Sequence, residues 1–322
     1  MRRAVVAWGV VFALAFGVAA GAVLVLNATV FGAAGFVRVY LEAVARADAE
    51  GALGMPGVAV DPQLRDDLLV DDALAGITDL RDISVVAGGG GTEVVTVAWA
   101  AGDTEAESSF TVERVGSRFG LFPEWAFAVS PVAILELSVE HDARFDVNGV
   151  AAESGVAAAD PVGYAVLVPG VYRVDHTSTY LEARAVDVVA DSASVFDATL
   201  DVQPADALLE QITIEVEARL AECATQDVLF PTACPLGRAI PNRVVSTPEW
   251  SIVEYPELTV EPGVEFGTWL VAAVDGVAHL TVDVQSLFDG SVSTLDEDVP
   301  FAATYLVTIE ADDATLRIQP LL

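Results

Sequence analysis

The stretch AVVAWGVVFALAFGVAAGAVLVL, residues 4–26, contains no charged residue. At a rise of 1.5 Å per residue, a helix of this length covers the ~30 Å hydrocarbon core of a bilayer. Arg2 and Arg3 precede the stretch, and positive charges near a span are usually kept on the cytoplasmic side. The sequence therefore predicts a cytoplasmic stub over 1–3, a transmembrane helix over 4–26, and a cell-membrane location with the N-terminus inside and the C-terminal bulk extracytoplasmic.

A cleaved signal peptide is the alternative interpretation of the same stretch. Arg2 and Arg3 would form its basic start, and Ala20-Gly21-Ala22 resembles a small-residue cleavage site. The apolar character continues through Leu26, past that site, which favours an uncleaved anchor. The sequence leaves open whether the segment is removed.

The charge of the chain is strongly acidic and argues against several kinds of partner. The 48 acidic residues all follow the apolar stretch, together with 13 of the 15 basic residues, so the exterior part carries 13 − 48 = −35. Such a balance opposes binding to nucleic acid and to anionic lipid, because like charges repel. We expect a soluble exterior part with no nucleic-acid partner, to which cations or basic ligands are attracted.

Cys223 and Cys234 are the two cysteines of the chain. In an extracytoplasmic setting, two cysteines this close in sequence are expected to form a disulfide. A two-cysteine zinc site is less favoured, because no histidine lies nearby and zinc usually takes four nitrogen or sulfur ligands. The sequence predicts a Cys223–Cys234 disulfide.

Residues 36–130 are predicted to form an α+β domain. Apolar residues at helical spacing predict a helix from Phe36 to Leu53, and a second short helical piece is expected over 62–74. Alternating segments then predict a four-stranded antiparallel meander over 83–86, 93–100, 108–115 and 118–129. Gly116-Ser117 is typical of a two-residue hairpin turn within it.

Residues 132–203 show no pattern typical of a helix and are predicted to form short strands separated by turns. Asn148-Gly149 and Pro169-Gly170 are typical of tight turns, because glycine accepts a positive φ and proline fixes its own φ. The pattern predicts a small β-sandwich.

Residues 204–322 are predicted to form a second helix-plus-meander domain with a disulfide loop. Pro204 opens a segment with helical spacing that ends at Cys223. Strands follow the loop, and Asp275-Gly276 is the strongest hairpin signal in the chain. The fold class predicted for the whole chain is thus α+β with a central all-β module, preceded by a transmembrane helix.

The residues that carry chemistry are sparse. The three histidines lack a second histidine at ligand spacing, and motifs of zinc enzymes and of nucleophilic hydrolases are absent. The densest mixed cluster is Glu140-His141-Asp142 with Asp146, which we interpret as a solvated strand end; Asp289, Asp296, Glu297 and Asp298 are placed around a loop that does not match a calcium-binding pattern. We predict no catalytic, cofactor-binding or metal-ligating residue, no cofactor and no enzymatic activity.

The middle segment resembles PEGA-type sandwich modules of envelope proteins. The matching residues are Phe145-Asp146-Val147-Asn148-Gly149 and Val168-Pro169-Gly170-Val171-Tyr172. Flanked by helix-plus-meander units after an N-terminal span, the chain resembles the teicoplanin-resistance-associated membrane protein family. The resemblance implies sandwich modules combined with a terminal domain of the cystatin-like or nuclear-transport-factor-like kind. The resemblance also implies a non-enzymatic envelope protein. It does not identify any binding residue in this chain.

Three hypotheses for function follow. The first is a membrane-anchored extracytoplasmic protein of the bacterial cell envelope with a binding or scaffold role, whose partner is cell-wall polymer or an envelope protein. The second is an enzyme with an acidic pocket in one of the α+β domains. The third is a structural spacer or accessory subunit of an envelope complex.

Overall fold

The computed structural model describes residues 2–74, 76–155, 160–310 and 315–321; within the first helix it describes the side chains of Trp8, 14–27 and Thr29. The α-helices are α1 (Arg2–Thr29), α2 (Ala33–Ala45), α3 (Ala49–Leu53) and α4 (Asp206–Ala224). Short 3-10 turns lie at Asp71–Ala73 and Gly89–Gly91.

The N-terminal apolar stretch lies in α1. In the part of the chain that the structure describes, no helix has both the length and the apolar content that crossing a bilayer requires. This finding contradicts the predicted transmembrane helix over 4–26 and the single-pass location, and both predictions are withdrawn.

The first sheet follows α3 and has four antiparallel strands in chain order. They are β1 (Asp79–Ala87), β2 (Thr92–Ala101), β3 (Thr104–Arg118) and β4 (Phe122–Phe127). The helix α2 packs against this sheet through Tyr40, whose ring centroid lies 5.9 Å from that of Phe110 and 5.1 Å from that of Phe127. Gly116-Ser117 is not a turn: β3 continues to Arg118 through a register shift.

The predicted helical piece over 62–74 was also wrong. Arg65 donates its backbone N–H to Gly163 O, and Ala165 donates to Arg65 O, so this segment forms a bridge beside Tyr164 of the middle sheet. Backbone groups used in this way are not free to bond within a helix. Its helical part is the single 3-10 turn Asp71–Ala73.

The middle region contains seven strands: β5 (Val132–Glu140), β6 (Arg144–Val147), β7 (Val150–Glu153), β8 (Val162–Leu167), β9 (Gly170–Thr177), β10 (Leu181–Ala190) and β11 (Val195–Pro204). Their order is β7-β6-β9-β10-β11-β5-β8. The strands β10 and β11 pair with each other only over residues 181–183 and 202–204.

Asn148 and Gly149, both at positive φ, make the predicted tight turn between β6 and β7. Pro169-Gly170 does not close a hairpin, because β8 pairs with β5 whereas β9 pairs with β6 and β10.

The third sheet packs with α4 and contains β12 (Arg243–Val244), β13 (Glu249–Glu254), β14 (Glu257–Pro262), β15 (Thr268–Gln285), β16 (Val292–Ile309) and β17 (Leu316–Leu321). The hairpin predicted at Asp275-Gly276 was wrong: β15 runs through it as one 18-residue strand. Asp275 has φ +60° and the register with β16 shifts there. The bulge falls where β15 changes its other partner from β14 to β13.

The fold class predicted from the sequence was therefore wrong. The chain is mostly β, with 49% of residues in strands and 20% in helices. The two arms predicted on either side of Asp275-Gly276 join into one 18-residue strand, and β16 also extends over 18 residues. The segment 62–74, in contrast, does not form an α-helix. Cys223, at the end of α4, lies at disulfide distance from Cys234, with their Cα atoms 5.8 Å apart.

Hydrogen bonds connect the three sheets. The Tyr40 hydroxyl lies 2.7 Å from Val168 O and 3.2 Å from Pro131 O, so it connects α2 with the middle sheet. Gly267 donates its backbone N–H to His141 O at 3.1 Å and so connects the middle sheet with the third sheet. The middle sheet therefore has contacts with elements that precede it and with elements that follow it in the chain.

Candidate functional site

A group of charged and metal-binding side chains lies at one end of the middle sheet, the end that contacts the third sheet. The strand β5 ends at Glu140, β9 ends at Thr177, and β11 runs out through Asp201 at this end. Three acids, two histidines and one arginine meet here: Glu140, His141, Asp142, Arg144, His176 and Asp201. We call this set the His141 end.

The parallel pairing of β5 with β11 explains why distant residues meet here. Asp201 pairs with Glu140 in register, although they are 61 positions apart in sequence. Going back along the same two strands, Thr199 pairs with Ser138 and Asp197 pairs with Glu136. Because side chains alternate between faces, these pairs share the outer face of the sheet and form an acidic ladder.

Glu140, His141 and Asp201 form a compact group of three metal-binding side chains. One donor atom from each lies within 4.8 Å of the other two. His141 Nδ1 is 3.1 Å from Asp201 Oδ1 and 3.2 Å from Val202 O. Gln203 Nε2 donates to Asp201 Oδ1 at 2.6 Å. The imidazole and one carboxylate are thus both oriented by neighbouring groups.

His141 occupies an unusual backbone position. Its φ is +70°, a left-handed conformation that side chains other than glycine adopt infrequently. Its ring centroid lies 6.1 Å from that of Trp269, whose side chain is fully buried. The indole N–H of Trp269 has no hydrogen-bond acceptor among the described residues. The contact places the His141 end directly against β15.

Behind this group lies a buried ion pair. Asp142 is 3% exposed, and Arg144 binds it through Nε at 2.9 Å and Nη2 at 2.8 Å. Burial raises the pKa of Asp142, but the hydrogen bonds and charge of Arg144 outweigh burial and hold this pKa below its usual value. Both ring nitrogens of the buried His176 lack hydrogen-bond partners among the described residues. Asp142 is therefore a charged structural group rather than a proton donor at neutral pH.

A cavity of about 740 Å³ opens where β10 and β11 separate. Its lining includes Glu182, Arg184, Thr199 and Asp201. After Ala183, β10 forms ladder hydrogen bonds with β9 and no longer with β11. Before Val202, β11 forms ladder hydrogen bonds with β5 and not with β10. The two edges that face each other across this β10/β11 slot therefore carry no ladder partner within the described parts of the chain.

The sequence located only part of this site. Glu140, His141 and Asp142 were recognised as a cluster, but their separation into a surface group and a buried ion pair was not expected. Asp201 was not recognised as part of the site. Polar residues alternate at Asp197, Thr199 and Asp201, but this pattern indicates a shared site only once the parallel register with β5 is known.

The second acidic group lies elsewhere than predicted. Asp296, Glu297 and Asp298 are not around a loop but within β16, where the two aspartates hold the ring nitrogens of His279 at 3.1 and 2.8 Å. Asp289 accepts hydrogen bonds from Ser291 in the turn after β15. These residues therefore do not form one shared cluster.

No family model, no curated protein and no solved structure matches this chain. The resemblance to the teicoplanin-resistance-associated membrane protein family and to PEGA-type modules stays a prediction. The geometry of the site is therefore the basis for inferring the function of this chain.

Proposed function

We propose that this chain is a non-enzymatic binding or scaffold protein whose middle sheet captures an extended, basic segment of a partner protein. The segment adds as a strand in the β10/β11 slot. The observation that carries this proposal is the separation of β10 from β11 after three paired residues, which leaves two facing strand edges around one cavity. Unpaired edges are ready templates for an added strand.

The charge of the slot favours a basic segment. Glu182 and Asp201 line it, with Arg184 as the one basic residue of the lining, and the outer face of β11 continues with Asp197. The whole chain carries a formal charge of −33. A negative protein attracts a basic ligand over long range and raises its association rate.

Strand addition makes a specific demand on the ligand: its backbone N–H groups must be free to bond with the slot. A peptide of four Val-Lys repeats, about the length of a common strand, is therefore a suitable probe. We expect it to bind the full chain in a fluorescence anisotropy titration. The same peptide with alternate backbone nitrogens methylated should bind at least about tenfold more weakly, a loss of roughly 1.4 kcal/mol.

Two matched variants locate the binding. Thr199→Arg fills the slot, whereas Ser138→Arg places the same side chain on the neighbouring strand, in register but outside the cavity lining. We expect Thr199→Arg to abolish peptide binding and Ser138→Arg to weaken it only through its charge. Equal loss in both variants, or equal binding of the methylated peptide, would show attraction by charge alone and reject the strand-addition proposal.

A further inference from the structure

We propose that Glu140, His141 and Asp201 bind a divalent transition-metal ion of the Zn²⁺ type. The three side chains supply two carboxylate oxygens and one imidazole nitrogen, a set of ligands that suits Zn²⁺ and its neighbours in the first transition row. This site differs from the β10/β11 slot in its ligand and in two of its three residues, and metal binding can be measured without any peptide.

The distances are close to those that an ion requires. With metal–ligand bonds of about 2.0–2.2 Å, the donor atoms of a tetrahedral site lie about 3.4 Å apart. The three donors already lie within 4.8 Å of one another, so each has to move by about 1 Å or less. The backbone that carries Glu140 and Asp201 is fixed by the parallel ladder of β5 and β11.

The groups around the donors hold them in place. The Asp201 carboxylate accepts a hydrogen bond from Gln203, and the His141 ring is placed by its contact with Trp269. Supporting contacts of this kind are usual around metal ligands and orient them. Since Nδ1 is the ring nitrogen that faces Asp201, Nδ1 binds the ion, and Nε2 carries the ring proton. Binding the ion therefore replaces the contact of Nδ1 with Val202 O, because a carbonyl oxygen only accepts hydrogen bonds and a metal-bound nitrogen has no proton to donate.

The charges also match. Two carboxylates and a neutral imidazole offset a dication, and three protein ligands leave one tetrahedral position for water. Elsewhere in the described ranges, no other group of three such side chains comes as close together. His279 has two aspartates beside it, but they hold opposite ring nitrogens and cannot share one ion through that ring.

The ion would also stabilise the contact between the middle sheet and the third sheet. His141 accepts the Gly267 backbone hydrogen bond, and its ring packs against Trp269. Fixing the imidazole therefore fixes this contact. A ligand that binds only the folded state raises the melting temperature in proportion to the logarithm of its concentration relative to Kd.

The chain offers a matched control for the experiment. Glu140→Gln with Asp201→Asn removes one in-register acid pair, and Glu136→Gln with Asp197→Asn removes the pair further along the same strands. Both double variants lose the same charge from the same face. His141→Asn removes the imidazole while keeping a residue type that tolerates positive φ.

Zn²⁺ is titrated into the full chain by calorimetry in a large excess of Mg²⁺, which occupies non-specific acidic sites. Both cysteines are paired, so they do not compete for the ion. We expect one Zn²⁺ per chain and a Zn²⁺-dependent rise in melting temperature. Glu140→Gln/Asp201→Asn and His141→Asn should each weaken binding at least about tenfold, the loss typical of removing even a residue that only orients a ligand.

The control pair Glu136→Gln/Asp197→Asn and the variant His279→Asn should bind Zn²⁺ as the unaltered chain does. Equal weakening in the control pair would show diffuse attraction by the acidic surface and overturn the proposal, as would loss of binding in His279→Asn alone. The slot-filling variant Thr199→Arg keeps all three metal ligands and should retain saturable Zn²⁺ binding, so failure of the peptide proposal and failure of the metal proposal are distinguishable.

Discussion

His279 is the residue whose protonation the third sheet controls most directly. It lies on β15 opposite Asp298, whose carboxylate is 2.8 Å from Nδ1, while the Asp296 carboxylate is 3.1 Å from Nε2. The hydrogen bond to Asp298 is the main reason that the pKa of His279 is raised above its usual value, and the charges of both aspartates add to it. The imidazolium is therefore the form that this strand pair favours.

Asp298→Asn should lower the pKa of His279 toward its ordinary value, because it removes the strongest of these interactions. A histidine NMR titration measures this directly, with His279→Asn to assign the signal. Since the raised pKa belongs to the folded state, the stabilising contribution is complete below the unfolded pKa of about 6.5 and is lost as pH rises through the folded pKa. Asp283→Asn, which removes a charge from β15 itself, is the control; an equal pKa change there would refute a role for the specific hydrogen bond.

At the scale of elements, the connection from α3 to the first sheet depends on a close approach of two backbones. Gly57 has φ +86°, and a Cβ placed on it would overlap the backbone oxygen and nitrogen of Phe127 at the end of β4. Phe127 also donates its N–H to Pro56 O at 2.9 Å. The helices α2 and α3 can therefore pack on the sheet only if residue 57 lacks a side chain.

Gly57→Ala should destabilise the protein strongly, and Gly120→Ala is the matched control. Gly120 also has a positive φ, +67°, but nothing lies within 4 Å of its added Cβ. The control should cost about 1–2 kcal/mol from backbone conformation alone, and Gly57→Ala should cost more by roughly the 1–3 kcal/mol typical of overpacking. Urea denaturation of both variants measures the difference; equal losses would mean that the two backbones do not approach this closely.

The sequence predicted these elements unevenly. The turn at Asn148-Gly149 followed from local preferences, because both residues accept the positive φ that a two-residue turn needs. At Asp275-Gly276 the same preference is present, but pairing on both sides of β15 converts it into a bulge within a long strand. Local sequence thus specifies where the backbone can turn, whereas neighbouring strands decide whether it does.

The candidate site shows the same division. Glu140 and His141 are adjacent in sequence and visible as a cluster, but Asp201 joins them only through a parallel strand pair. Parallel pairing connects segments that are distant in the chain, and no short-range pattern encodes its register. The sequence therefore showed two of the three residues as a cluster, which it interpreted as a solvated strand end, and gave no sign of the third.

At the scale of the whole molecule, the dominant property is charge. The formal net charge is −33, from 48 acidic and 15 basic residues. Most ion pairs that the structure describes involve exposed side chains, such as Arg81 with Glu105, and exposed pairs contribute little each. The folded state is therefore subject to considerable repulsion among its own carboxylates.

We expect sodium chloride to stabilise the protein. Raising ionic strength from about 0.01 M to 0.15 M shortens the Debye length from about 30 to 8 Å and screens repulsion across the surface. The melting temperature at neutral pH should therefore rise over this range, and it should respond much less at a pH where most carboxylates are protonated. A melting temperature that is unchanged by salt at neutral pH would contradict this account.

The sequence by itself determined the acidic charge, the presence of two cysteines close together in the chain, the sites where the backbone can take a positive φ, and the alternation that makes strands. Those properties depend on residue type and on near neighbours. Tertiary structure alone decided that the fold is mostly β, that β15 continues through its turn signal, and that Asp201 meets His141. Each of these depends on pairing between distant segments, whose free energy is set by the partner strand and not by the residues of either segment alone.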